Sequence, residues 1–423
     1  MGVFEMSNEA IIEESLVKSK NTKFKVSIII GILISIIGGY IIYSFNNNYM
    51  YNGKVANNIF IEDVNISLMT KDEAISLINE RYKPKALSLT YNGESYELLP
   101  EDIDLVYNIE EVVNNAYNYT KTDSYFNNVK RLFQLEKTAQ EYTLENSFNE
   151  SKLSEVIDNI AKNVNIPVKN AKLYISGSSF NVTPSSIGKE LDIASNKESI
   201  YEAIKSKKYG EVSLKINDIE PDITTAMAKS IDTLLAEHST TFSTSLPGRT
   251  ANIQVSSQRI SDVLLMPGET YSYNNQTGVR TIANGFYNAP VIINGQLEDA
   301  PGGGVCQTST TLYNAVLYSG LTIEQVQNHS ITSNYAPRGR DAMVNDSGSD
   351  LKFSNPYNHP IYVKSYANNG TVTCQIYGNS ADKQNIDIKI DTFPMGAKTY
   401  RVFKDSSGNE IKTEYISTSV YRK

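Results

Sequence analysis

The chain has 423 residues, enough for two or three domains, and its 40% hydrophobic and 20% charged content is that of an ordinary globular protein. A net charge of -8 argues against nucleic acid and other polyanions as partners. The three histidines lie far apart in sequence, without a carboxylate–histidine cluster, so no metal site and no cofactor is expected.

Residues 1–25 contain Lys18, Lys20, Lys23 and Lys25 and lead into an uncharged apolar run at 26–45, VSIIIGILISIIGGYIIYSF. A helix of about 20 residues spans roughly 30 Å, the thickness of a bilayer core. The lysines precede the run and no positive cluster follows Asn46, which places 1–25 in the cytoplasm and the remainder outside. No small-x-small cleavage site follows, so the run reads as an uncleaved single-pass anchor in the cytoplasmic membrane.

One pattern then occurs twice. Leu89-x3-Gly93-x2-Tyr96-x3-Pro100-x2-Ile103 returns as Leu173-x3-Gly177-x2-Phe180-x3-Pro184-x2-Ile187, at a constant offset of 84 residues. A helix-like run precedes each copy (Lys71 to Tyr82, Leu153 to Val164) and another follows it (Ile109 to Tyr119, Asn196 to Lys205). Residues 57–140 and 141–221 therefore read as two small α+β modules, each with a hairpin turning at Asn92-Gly93 or Ser176-Gly177. Neither holds histidine, cysteine or clustered metal ligands, and their carboxylates read as solvated faces.

A boundary near Asp222 opens the last domain, 222–380. Ile223 to Glu237 reads as a helix through Ala226, Ile231, Leu234 and Leu235, and Arg249 to Met266 as another, ended by Pro267-Gly268. His238 has no partner nearby in sequence and reads as a surface residue. The stretch Pro301-Gly-Gly-Gly-Val-Cys-Gln-Thr-Ser-Thr-Thr-Leu-Tyr-Asn-Ala-Val-Leu-Tyr-Ser-Gly320 carries most of the chemistry. Gly302 to Gly304 permit positive φ and close backbone approach, and apolar groups at Thr308, Leu312, Ala315, Val316 and Tyr318 follow at helical spacing up to Gly320. Cys306 would then sit in the first turn of a helix, where unpaired N–H groups and the helix dipole favour thiolate. The alternatives are a small buried hydrophobe or half of a disulfide with Cys374. Cys374 lies in IYVKSYANNGTVTCQIYG, a hairpin turning at Asn-Asn-Gly, and reads as a core residue. Two further strands, Tyr400 to Phe403 and Ile411 to Ile416, are expected in the tail at 381–423.

The doubled pattern is similar to the peptidoglycan-binding domain found ahead of cell-wall enzymes in Gram-positive bacteria. Met266-Pro-Gly-Glu-Thr-Tyr-Ser272, Thr277-Gly-Val-Arg-Thr281, GGGVCQTSTTLYNA, Asn328-His-Ser330 and Tyr335-Ala-Pro-Arg-Gly-Arg-Asp-Ala342 resemble, in order and spacing, the VanW domain. The expected architecture is α+β: one transmembrane helix, two small modules and an α+β, β-rich VanW domain. The resemblance implies an extracytoplasmic L,D-transpeptidase that makes peptidoglycan 3-3 cross-links by cysteine acyl transfer and releases D-alanine. Its partners would be peptidoglycan stem peptides and the cytoplasmic membrane. Cys306 would be the nucleophile, His329 the base and Asp341 the group orienting it. Backbone N–H groups at Gly304, Cys306 and Gln307 would form the oxyanion hole, and Arg340, Tyr335 and Arg280 would contact substrate. The signature SxGC(V/I)R of another L,D-transpeptidase fold does not occur. A wall-binding protein with an inert cysteine, and a cysteine peptidase acting on stem peptides, fit the same residues.

Overall fold

The structure, a computed structural model, describes residues 8–177, 179–293 and 296–422. The lysine cluster and the apolar run form one continuous helix, Asn8–Phe45, long and apolar enough to cross a membrane. A helical turn, Asn46–Met50, follows it. The chain divides into two compact units, residues 1–165 with 190–217, and residues 166–189 with 218–423.

Two hydrophobic cores make up the first unit. In one, the helices Lys71–Arg81, Ile109–Asn118 and Tyr125–Leu135 cover strand Ile59–Ile61, burying Ile59, Ile61, Ile78, Val113 and Leu135. Thr70 starts the first of these helices with a reciprocal cap: its Oγ1 accepts from Glu73 N at 3.3 Å while Glu73 Oε2 accepts from Thr70 N at 2.8 Å. In the other core, the hairpin Leu87–Tyr91/Glu94–Leu98 turns on Asn92 and Gly93, with φ of 50° and 85°, the left-handed pair that a two-residue turn requires. Strand Glu211–Ser213 joins it in parallel. Leu87, Leu89 and Leu98 pack with Leu153, Ile157 and Ile160 of helix Glu150–Val164 and with Ile200 and Ile204 of helix Ile193–Lys205. Each such leucine contributes about 1.5–3 kcal/mol. The hairpin of the first sequence repeat thus shares a core with the helices of the second.

The second hairpin, Lys172–Ser176/Ser179–Thr183, is likewise carried forward. Its turn includes Ser178, which lies outside the described residues. Leu173 and Ile175 pack with Ile231, Tyr362 and Tyr377 of the second unit, and Phe180 meets Tyr377 edge-on at 5.7 Å. That unit is built on a four-stranded antiparallel sheet ordered Thr233–Thr241, Thr371–Gly378, Ile361–Asn368, Val263–Leu265. Helix Val305–Ser319 packs on strands Thr233–Thr241 and Thr371–Gly378 of this sheet, and helix Pro247–Arg259 packs beside it on strand Ile361–Asn368. A small sheet, Thr270–Ser272, Lys352–Ser354 and Thr322–Gln325, and a meander, Asn385–Phe393, Gly396–Lys404 and Glu410–Val420, complete it.

Three expectations need correction. The helix expected over Ile223 to Glu237 exists only at Thr225–Lys229, because Leu234 to Thr241 pair with Thr371–Gly378 as a strand. The next helix ends at Arg259, and Val263–Leu265 is a strand beside Ile361–Asn368. His238 is half-buried rather than on the surface, opposite Cys374 in the sheet. Burial, with the Arg340 charge, lowers its ring to about 4. In the first two cases pairing with a distant strand overrides local helix propensity, and the same pairing buries His238.

Candidate active site

All three glycines before Cys306 are needed. Gly302 and Gly304 have φ of 93° and 106°, and a Cβ on Gly303 would lie 2.7 Å from Pro290 O. Asn252, fully buried, pins the loop: its Nδ2 donates to Gly303 O at 3.0 Å and to Tyr287 O at 2.9 Å, while its Oδ1 accepts from Tyr287 N. Gly304 then caps helix Val305–Ser319, which ends at Gly320 with φ of 77°. Val305 N donates to Gly302 O and Gln307 N to Gly304 O, whereas Cys306 N donates to no backbone carbonyl among the described residues. The cysteine amide is therefore the open donor of the first turn.

The helix is buried nearly all round, despite Gln307, Thr308, Ser309, Thr310, Thr311 and Asn314. Every one of these is satisfied: Thr308 with Ser256, Ser309 with Ala342 O, Thr311 with Gln307 O and Thr240, Asn314 with Arg340 O. Thr310 Oγ1 accepts from Ala342 N at 3.0 Å, and Gln307 Oε1 accepts from Arg249 Nη2 at 2.7 Å. Polar side chains inside a core need fixed partners, so this helix has one seating and Cys306 one position.

Cys306 is a free, half-buried thiol whose S–H donates to Val344 O at 3.4 Å. The His329 ring is its hydrogen-bond partner. His329 Nδ1 lies 2.8 Å from Asp341 Oδ2, which also accepts from His329 N at 2.7 Å, so Nε2 is the nitrogen left for the thiol. Asp341 is buried, and its Oδ1 accepts from Tyr421 Oη at 2.5 Å. Tyr421 Oη in turn accepts from Gly339 N at 2.6 Å. Asn328 Nδ2 donates to Val420 O at 2.8 Å and Arg422 N to Ser330 O at 2.7 Å, so the end of the last strand holds the histidine loop on both sides.

These contacts set the charges. Burial alone would raise the Cys306 thiol, but the hydrogen bond and charge of His329, with the Arg280 charge, outweigh it and hold the thiol below its ordinary value. Burial would lower His329, but its bonds to Asp341 and Cys306 raise the ring to about 10. Burial opposes ionisation of Asp341 too, and the bonds from His329 and Tyr421 overcome it. The arrangement is a thiol of lowered pKa facing a histidine held as imidazolium, with an ionised carboxylate behind it.

The other expected site residues are distributed unevenly. Tyr335 stands edge-on to His329 at 6.4 Å, and burial with the Cys306 and Asp341 charges raises its phenol. Arg280 is committed to Asp346 and Asn274, each at 2.5 Å, with its charge directed at the thiol. Arg340 is held by Asn314 Oδ1 at 2.6 Å and stacks on Tyr318, which puts it about 12 Å along the helix from Cys306. The Gln307 side chain braces the helix against Arg249, Thr240 and Thr241, and its amide is engaged by Gly304 O. Asn252, Arg249 and Tyr421 escaped sequence reasoning. Nothing in the polar tail around Tyr421 signals that its hydroxyl meets a carboxylate 80 residues upstream.

Residues 248–377 match the family model "VanW like protein", and residues 96–213 match "Putative peptidoglycan binding domain". The chain is 32% identical over 229 residues to the uncharacterized protein YoaR of Bacillus subtilis (strain 168), covering 54% of this chain and 75% of that one. It is 28% identical over 109 residues to the vancomycin B-type resistance protein VanW of Enterococcus faecalis (strain ATCC 700802 / V583), covering 25% of this chain and 40% of that one. No solved structure matches. The chain belongs to the YoaR/VanW-like family, with a domain of the peptidoglycan-binding type ahead of its VanW domain. The cysteine loop, the histidine and Asp341 all fall within the VanW match, whereas Tyr421 lies beyond it.

Proposed function

We propose that this protein is a membrane-anchored, extracytoplasmic L,D-transpeptidase that binds peptidoglycan and joins stem peptides through a thioester on Cys306. The observation that carries this reading is the line Cys306–His329–Asp341 at a glycine-capped helix start. The Cys306 thiolate attacks the carbonyl at the L-centre of diaminopimelate in a tetrapeptide stem. The oxyanion that forms is received by the open Cys306 N–H and the positive end of the helix. His329 gives its Nε2 proton to the departing D-alanine nitrogen, the C–N bond breaks and a thioester remains. The side-chain amine of a second stem then attacks the thioester, His329 takes up the amine proton, and the thiolate leaves. One amide is exchanged for another, with no external energy source. Asp341 keeps the imidazole in the required tautomer throughout.

The test is incubation of the protein with a disaccharide-tetrapeptide. Release of D-alanine, an intact-mass increase at Cys306 and a cross-linked dimer are expected, and none should appear with Cys306→Ala. Dimers formed by that variant would end the nucleophile reading. Free tripeptide without dimer would make the same site a peptidase, and a wild-type thiol that neither acylates nor alkylates at neutral pH would leave a wall-binding protein.

A further inference from the structure

In the first unit, helix Tyr125–Leu135 has two apolar faces. Leu132 and Leu135, with buried Asn128, face the core. Phe126 and Phe133 are seven residues apart, hence on one stripe nearly opposite, and stand 84% and 56% exposed. A surface helix in water carries polar side chains on that stripe, and an aromatic one marks a partner. Exposed Tyr49 and Leu68 extend the patch. Leu68 has φ of 64°, a left-handed conformation unfavourable for leucine, and it still presents its side chain to the outside. Phe45, Tyr49, Leu68, Leu132 and Phe133 line a groove of about 440 Å³.

The position of this patch identifies its partner. The apolar helix ends at Phe45, and the next residue, Asn46, accepts through Oδ1 from Tyr125 Oη at 3.0 Å. The aromatic stripe therefore begins beside the point where the chain would leave the hydrocarbon core. Tyrosine and phenylalanine at headgroup level are the composition of a membrane interface, and exposed Lys54 and Lys130 supply charges for lipid phosphates.

We propose that Phe126, Phe133, Leu68 and Tyr49 form a second membrane contact, lying on the phospholipid surface next to the anchor that spans it. The contact rests on Asn8–Phe45 being a spanning helix and is independent of the chemistry at Cys306. Two attachments instead of one turn a tethered module into one of fixed orientation, at a depth of about 5–10 Å into the headgroup region.

The chain has no tryptophan, so each single substitution is a unique probe. Full-length Phe126→Trp and Ile36→Trp are reconstituted into vesicles of phosphatidylglycerol and phosphatidylethanolamine, with acyl chains brominated just below the headgroup for Phe126→Trp and near the chain end for Ile36→Trp. Position 126 is so exposed that tryptophan there leaves the core untouched. The expected result for Phe126→Trp is blue-shifted emission, about twofold quenching by the brominated lipid and protection from aqueous iodide. Iodide quenching without lipid quenching, while Ile36→Trp is lipid-quenched, overturns the contact but keeps the anchor. Protection from both quenchers assigns the patch to a protein partner and also overturns it. An unquenched Ile36→Trp removes the spanning helix and the proposal with it.

Discussion

Cys306 and Cys374 occupy opposite kinds of site within one unit. Cys374 is fully buried in strand Thr371–Gly378, where Ser365 Oγ at 3.4 Å is its polar neighbour. Burial pushes that thiol up to about 12. Cys306 is half-buried, and its thiol is lowered because a histidine already charged by Asp341 faces it at a helix start. Desolvation acts the same way on both sulfurs. The difference comes from whether a fixed cation and an open backbone donor were placed beside the sulfur before it ionised.

The largest expected effect separates the two thiols directly. Cys306→Ala should abolish alkylation of the native protein at neutral pH and all acyl transfer, whereas Cys374→Ala should leave both largely intact, as read by mass spectrometry after iodoacetamide treatment. Next in size, His329→Ala should slow acylation by roughly two to four orders of magnitude. It should also move the pH curve of Cys306 alkylation to the alkaline side, since the cation that stabilises the thiolate is gone. An unmoved curve would transfer the credit to the helix dipole. Tyr421→Phe removes one hydrogen bond to a charged carboxylate, worth about 1.5–3 kcal/mol, so acylation should fall by roughly 10- to 100-fold. The same variant should shift the pH profile of the site, which simple loss of stability would not do.

The smallest effect belongs to Cys374. Its substitution by alanine should cost about 1–3 kcal/mol in denaturant unfolding. Because its folded pKa lies above the unfolded one, its ionisation leaves stability intact below about pH 9 and erodes it as pH rises toward 12. Cys374→Ala should therefore lose stability less steeply above pH 9 than the parent does.

The elements around the two cysteines rest on local signals. The glycine run, the helix after it and the hairpin around Cys374 are encoded by residues adjacent in sequence, and turn chemistry at Asn92-Gly93 and Asn369-Gly370 is equally local. His329 and Asp341 are named by the resemblance of the Asn328-His-Ser330 and Tyr335–Ala342 segments, and their mutual distance is not legible there. What the sequence hid depends on remote pairing. Leu234 and Leu235 fit a helix until Thr371–Gly378 is available to pair with them. The polar residues at 307–311 circle helix Val305–Ser319, and their partners on Ser256, Thr240 and Ala342 make it a core element.

The forward placement of the two hairpins has a consequence for how the chain matures. During synthesis Leu87, Leu89 and Leu98 emerge well before Leu153, Ile157 and Ile204, the side chains that cover them. Leu173 and Ile175 wait longer still, until Tyr362 and Tyr377 have followed. Each block is thus left with an uncovered apolar ribbon until its successor arrives, so the chain closes like a row of overlapping tiles laid from the N-terminus. A fragment begun at Asp222 would lack the tile that covers Ile231, Tyr362 and Tyr377, whereas one begun at Ile166 would keep it.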